Sequence, residues 1–188
     1  MTNRSPQHER FYHLYNRGNN RQNIFFEREN YLHFLRLVRQ KLIANDVYVL
    51  AYCLMPNHYH LLVDVQAIAL KSPMHALSVA YTKAINKRYG RVGSLFQGGY
   101  QSIAVTETAH LVHLTRYIHL NPVKANLVKT PAEWEFSSYP DYAGIRGGTL
   151  PQMGVIKEMV GGDRPYQHFL CDHHLLTTPA LHHLLLDE

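Results

Sequence analysis

The chain has 188 residues, enough for one domain or for one domain with an appendage. Its 46% hydrophobic and 18% charged residues exclude a disordered or low-complexity chain, and no apolar stretch reaches the roughly 18–20 residues needed to span a bilayer. A formal charge of +5 favours an anionic partner, nucleic acid before membrane, and two cysteines, Cys53 and Cys171, make no disulfide framework and fit a reducing cytoplasm. The first thirty residues carry Arg4, Arg10, Arg17, Arg21 and Arg28 without an apolar core, so no secretory leader is expected.

Residues 10–17, RFYHLYNR, read as a first strand ended by Gly18-Asn19-Asn20. A helix is predicted over 28–44, where Tyr31, Phe34, Leu35, Val38 and Leu42 recur at helical spacing, and Asn45-Asp46 closes it. Two strands follow, 47–54 and 58–65, around a turn at Met55-Pro56-Asn57. Ser72-Pro73 reads as N-cap and first helical turn of a second helix reaching about Tyr89, with Gly90 as a left-handed stop. A fourth strand is expected over 100–105. Thr106 or Thr108 then caps a third helix that runs toward Asn121, where Pro122 disfavours further helix. The first six elements form a split βαβ, ferredoxin-like α+β arrangement: an antiparallel sheet with two helices on one face. Beyond Leu127, Trp134, Phe136, Tyr139 and Tyr142 are expected to pack back on the domain. Residues 144–148 read as a loop, and 149–188 carry short helical patterns and many histidines.

The chemistry concentrates in AYCLMPNHYHLLVDV, residues 51–65. Residues two apart share a face of a strand, so Tyr59, Leu61, Val63 and Val65 form a core face. His58, His60, Leu62 and Asp64 point the other way. Two adjacent imidazoles make half of a metal site or an acid–base pair. The third helix is the natural cover for that face, and it contains Tyr117-Ile118-His119-Leu120-Asn121. Tyr117 and Asn121 lie four apart and project together. An Asn121 amide oxygen can join the imidazoles as third ligand of Mg²⁺, Mn²⁺ or another divalent cation, with the Tyr117 hydroxyl one turn away. Asp64, roughly 13 Å along the strand from His60, is a poor ligand. The chemistry this points to is phosphoryl transfer with a tyrosine nucleophile, for which His113, one turn before Tyr117, is a candidate base.

The strings MPNHYHLLV and RYIHLNPVKANLV resemble those of HUH single-strand DNA endonucleases, and within them the REP-associated single-tyrosine transposases of bacteria. NRGNNRQNIFF and GRVGSLFQGGYQS are similar to that family as well, so the resemblance covers about residues 10–142. It implies a ferredoxin-like catalytic domain over 1–145 with an appendage over 146–188, and a nucleophile-bearing helix near the sheet face opposite the other two. It further implies His58 and His60 as metal pair, Asn121 as third ligand, and Tyr117 forming a 5′-phosphotyrosine link. The implied partner is single-stranded DNA with a hairpin from short palindromes, handled by a monomer or homodimer at the nucleoid. The chain departs from the family pattern at Gly99 and at Gln101-Ser102, where basic residues are expected; this touches DNA contacts rather than the catalytic set.

Candidate DNA contacts are Lys83, Lys87 and Arg91, with Arg88 adjacent, and Arg17, Asn19 and Arg21 in the early loop. A solvated face is the alternative for each. Phe25, Phe26 and Phe96 are expected in the core rather than stacked on bases. Cys171, His173, His174, His182 and His183 lack the paired spacing of structural zinc and read as a short amphipathic helix. Two rival functions are a hairpin-binding module without cleavage, and a zinc hydrolase using His58, His60 and a carboxylate.

Overall fold

The alternating runs pair into one antiparallel sheet in the computed structural model, which describes residues 10–66, 70–161 and 166. Strands β1 (Phe11–Arg17), β2 (Val47–Met55), β3 (His58–Val65) and β4 (Gln101–Ala104) stand in the order β2-β3-β1-β4. Helix α1 (Arg28–Lys41) joins β1 to β2 and α2 (Lys71–Tyr89) follows β3. This is the ferredoxin-like arrangement, because β3 lies between β1 and β2 and is antiparallel to both. Gly90 ends α2 in the left-handed conformation at φ 61°.

The two faces of the sheet bury separate cores. Tyr31, Phe34, Leu37 and Val38 of α1 and Met74, Leu77, Tyr81 and Ile85 of α2 pack on Leu14, Tyr59, Leu61 and Val63. The opposite core joins Leu62 and Met55 to Leu111, Leu114 and Ile118 of helix α3 (Thr108–Lys124). Phe25 and Phe96 belong to the first core, whereas Phe26 is 41% exposed and lies beneath the Arg91 guanidinium. A bulge between Val49 and Ala51 shifts the alternation of β2. Val47, Val49, Tyr52 and Leu54 therefore face α1 and α2, while Leu50, Ala51, Cys53 and Met55 face α3.

Helix α1 ends at Lys41, short of the expected 44, and two further helix boundaries differ from the sequence expectation. Helix α2 starts at Lys71 with Leu70 in the cap position, so Ser72 is not the N-cap and Pro73 sits in the first turn, where its missing N–H costs nothing. Helix α3 starts after Glu107 and continues through Pro122 to Lys124. The Ala125 amide donates to the Asn121 carbonyl at 2.9 Å, which keeps the last turn closed despite the proline.

The chain after α3 clamps this helix to the edge of β2. Leu54 N donates to Phe136 O, Ser138 N to Tyr52 O, and the Trp134 indole to Leu54 O at 3.0 Å. Helix α4 (Tyr139–Tyr142) and helix α5 (Gly154–Met159) supply Tyr139, Tyr142 and Ile156 to the second core, and Leu150 enters the first. At the centre of the clamp His119, fully buried, sits with Nε2 2.7 Å from Ser138 Oγ and Nδ1 2.9 Å from the Tyr166 hydroxyl. One neutral tautomer serves all partners: Nε2–H donates to Ser138, and Nδ1 accepts from Tyr166. Cys171, His173, His174, His182 and His183 lie outside the described residues.

Gly18 N donates to Asn57 O at 2.7 Å, and a Cβ on Gly18 would meet Gln22 O at 1.9 Å. Gly18→Ala should therefore lower stability by about 1–3 kcal/mol, read as a shifted urea midpoint. Burial lowers the His119 imidazole from its ordinary 6.5 to about 3. The unfolded chain takes up this proton near pH 6.5, so the stability carried by neutral His119 is complete above 6.5 and is lost as pH falls toward 3. Urea midpoints measured from pH 4 to 8 should fall less steeply on the acid side in His119→Leu than in the native chain.

Candidate active site

His58 and His60 open β3, and their cross-strand partners on the central strand are Arg17 and Tyr15. Directly paired residues point to the same face, so Arg17, Tyr15, His58 and His60 line one strip of the sheet beneath α3. The two imidazole centroids are 5.0 Å apart with planes at 83°. His60 is fully buried and His58 is 8% exposed. Each ring is held from behind through Nδ1. His58 Nδ1 lies 2.7 Å from Asn57 Oδ1, an oxygen that can only accept, so the ring proton is on Nδ1. The Asn57 amide is itself oriented, since its Nδ2 donates to Arg21 O. His60 Nδ1 lies 3.0 Å from Nε2 of buried His13 on β1.

Helix α3 brings Tyr117 and Asn121 over these rings. The Tyr117 ring meets His60 edge-on at 5.6 Å, and the Lys124 ammonium lies 4.6 Å from the Tyr117 ring centroid. Asn121 is fully buried, and its Nδ2 turns back toward Tyr117 O at 3.4 Å. His58 Nε2, His60 Nε2 and Asn121 Oδ1 are buried in this region without a hydrogen bond of good geometry, although Asn121 lies close enough to His58 to act on its titration. Two imine nitrogens and one amide oxygen are a donor set that fits a divalent cation. Desolvation of such atoms is costly unless a cation or a polar ligand repays it.

Electrostatics keeps the donors neutral. Burial pulls the His58 imidazole down from 6.5 to about 4; neighbouring Asn121 opposes this in part and the Arg17 charge reinforces it. His60 is held well below its ordinary value by burial first and by His13 and His58 second. Both rings thus offer lone pairs at neutral pH. No group of three His, Cys, Asp or Glu side chains converges among the described residues, so the arrangement relies on the amide. Asp64 is engaged elsewhere, receiving Arg10 Nε and Nη2 at 2.6 Å each.

The basic candidates divide into two groups. The turn Asn19–Arg21 and the segment after Gly90 meet at the His58 end of the sheet: Asn19 N donates to Leu95 O and Arg91 Nη2 to Gln22 Oε1 at 3.0 Å. Arg17 joins them, its Nε donating to Gln97 Oε1. Lys83 and Lys87 are exposed on α2, in the helix layer across the sheet, where Lys87 borders a groove of about 500 Å³ against α1. His113 is half-buried on α3. Gly99, Gln101 and Ser102 are exposed at β4, the free edge nearest β1. Sequence reasoning missed His13, Asn57 and Lys124. Lys124 stands seven residues after Tyr117 and so shares its helix face, a usable signal. His13 shares the strand parity of Arg17 but stands opposite Leu62, and only the β1–β3 register brings its side chain to the His60 ring.

A family model described as "Transposase IS200 like" matches residues 7–121. Among solved structures, one titled as a REP-associated tyrosine transposase bound to a REP hairpin has a TM-score of 0.62 at 19% identity, over 83% of this chain and 92% of the other. A second, titled as a putative transposase from Deinococcus radiodurans, has a TM-score of 0.44 at 19% identity, over 63% of this chain and 95% of the other. No curated protein matches the chain. No helix among the described residues is long and apolar enough to cross a membrane. The matched model covers β1 through Asn121, all of the elements that assemble the site, and the chain belongs to the IS200-like transposase family.

Proposed function

We propose that the protein nicks single-stranded DNA beside a hairpin and holds the 5′ end covalently on Tyr117 while a strand is transferred. The observation that carries this reading is that His58 Nε2, His60 Nε2 and Asn121 Oδ1 are all buried without a hydrogen bond of good geometry, with Asn121 beside His58 and the Tyr117 ring against His60. In this reading His58, His60 and Asn121 would hold Mg²⁺ or Mn²⁺, which would supply Lewis-acid polarisation of the scissile phosphate and stabilisation of charge on the departing oxygen.

The chain's own residues do the rest. The Tyr117 hydroxyl attacks phosphorus; its O–P bond forms as the bond to the 3′ oxygen breaks. The phenolic proton leaves, and the 3′ oxygen departs as a hydroxyl after taking up a proton, so the step needs no oxidant or reductant. A phenol with an ordinary pKa near 10 is a weak nucleophile at neutral pH, and the Lys124 ammonium over the ring favours the negative charge that develops on it. Arg17, Asn19, Arg21 and Arg91, gathered at the His58 end, bind the DNA backbone, and Lys83 and Lys87 extend that positive surface along α2. The hairpin partner is supported by the REP-hairpin complex of the structural neighbour. Residues 1–145 form the catalytic unit. In the described part of the appendage from 146, Leu150 and Ile156 enter the two cores.

The ring contact between Tyr117 and His60 of the same chain supports a nucleophile that serves its own subunit. With Mn²⁺ and labelled hairpin DNA, a denaturing gel should resolve a covalent species that is absent in Tyr117→Phe and reduced by roughly two orders of magnitude or more in His58→Ala. Survival of the adduct in Tyr117→Phe would reject Tyr117 as nucleophile; hairpin binding with no adduct in the native chain would make the protein a binding module. Mixing Tyr117→Phe with His58→Ala should give no more adduct than His58→Ala alone, because each subunit lacks one half of its own site. Restored adduct would mean that the tyrosine acts across subunits.

A further inference from the structure

The mechanism above leaves His13 without a role, although it is fully buried on the central strand and bonded to a proposed ligand. Its Nε2 is 3.0 Å from His60 Nδ1; the two ring planes lie within 20° and the centroids are 5.1 Å apart. With the nitrogens 3.0 Å apart and the centroids 5.1 Å apart, the rings meet edge to edge through an N–H···N hydrogen bond rather than face to face. One proton lies between the two nitrogens, and its position decides what His60 offers on its far side. If His60 Nδ1 donates, His60 Nε2 presents a lone pair. If His13 Nε2 donates, the His60 proton moves to Nε2, where it is buried and lacks an acceptor.

We propose that His13 is a positioning residue that accepts the His60 Nδ1 proton and thereby fixes the ring orientation and tautomer in which His60 Nε2 faces Asn121 and His58. This rests on the metal-dependent reading of the site. Metal-ligating imidazoles ordinarily give their second N–H to a carboxylate, a backbone carbonyl or water. Unlike a carboxylate, an imidazole acceptor orients the ligand without adding negative charge. Among the described residues no carboxylate joins His58, His60 and Asn121, so a divalent cation held there keeps its full charge for an anionic phosphate. His58 follows the same plan with the neutral Asn57 amide behind it. Both ligands are therefore backed by neutral acceptors, one on β1 and one in the β2–β3 turn.

The test has two arms. In metal-free native protein, ¹⁵N imidazole spectra should find the His60 proton on Nδ1; a proton on Nε2 would overturn the proposal. Mn²⁺ titrations should then give a dissociation constant about 10–100-fold weaker in His13→Leu. His13→Gln, which returns an acceptor oxygen, should recover most of the loss, while hairpin binding without metal changes less than about twofold in both variants. Native-like Mn²⁺ affinity in His13→Leu would also overturn it. Should the native chain bind no Mn²⁺, the metal reading itself falls, whereas the tautomer in metal-free protein still decides the role of His13. The spectra likewise decide it if His13→Leu does not fold.

Discussion

The antiparallel register of β1 against β3 is the constraint on which the site depends. It sets Arg17 opposite His58 and Tyr15 opposite His60, and it brings His13 within hydrogen-bond reach of the His60 ring. A slip of one residue would turn the entire strip over to the face occupied by α1 and α2. The register is secured because Leu14 on β1 and Tyr59, Leu61 and Val63 on β3 are all fully buried beneath those helices. The larger core thus determines the placement of the polar strip that it does not itself contain.

A second constraint is the attachment of α3. A sheet face carrying buried histidines needs a cover that supplies polar atoms of its own, and α3 does so with Tyr117 and Asn121 along one edge of the same buried face that presents apolar Leu111, Leu114 and Ile118. His119 fastens the helix through Ser138 and Tyr166, so the site depends on chain that follows the helix as well as on the helix itself. Continuation through Pro122 matters here too, since it carries the helix on to Lys124 and places that residue over the Tyr117 ring. Burial works in favour of ligation: a low-dielectric setting disfavours imidazolium and leaves His58 and His60 neutral.

Much of this was legible in advance. Period-two alternation marked β3 and its two faces, and helical spacing marked α1. The four-residue spacing placed Tyr117 and Asn121 on one side of a covering helix. The boundary errors at α2 and α3 arose where a local signal met a tertiary one. Ser72 is a good N-cap in isolation, yet the helix starts at Lys71; Pro122 discourages helix at Asn121, yet buried Asn121 and Pro122 stay helical. The bulge in β2 was invisible because an apolar run on an edge that is covered on both faces has no alternation to break.

Sequence by itself determined the order of elements, the core face of β3 and the identity of the residues facing away from it, because these follow from periodicity along a single segment. Only tertiary structure decided which neighbours stand behind each imidazole, which of the basic residues reach the His58 end, and which ring atoms are left without partners. Those outcomes depend on strand register and on helix docking. Both are pairings between segments far apart in the chain, and neither leaves a periodic trace in either segment alone.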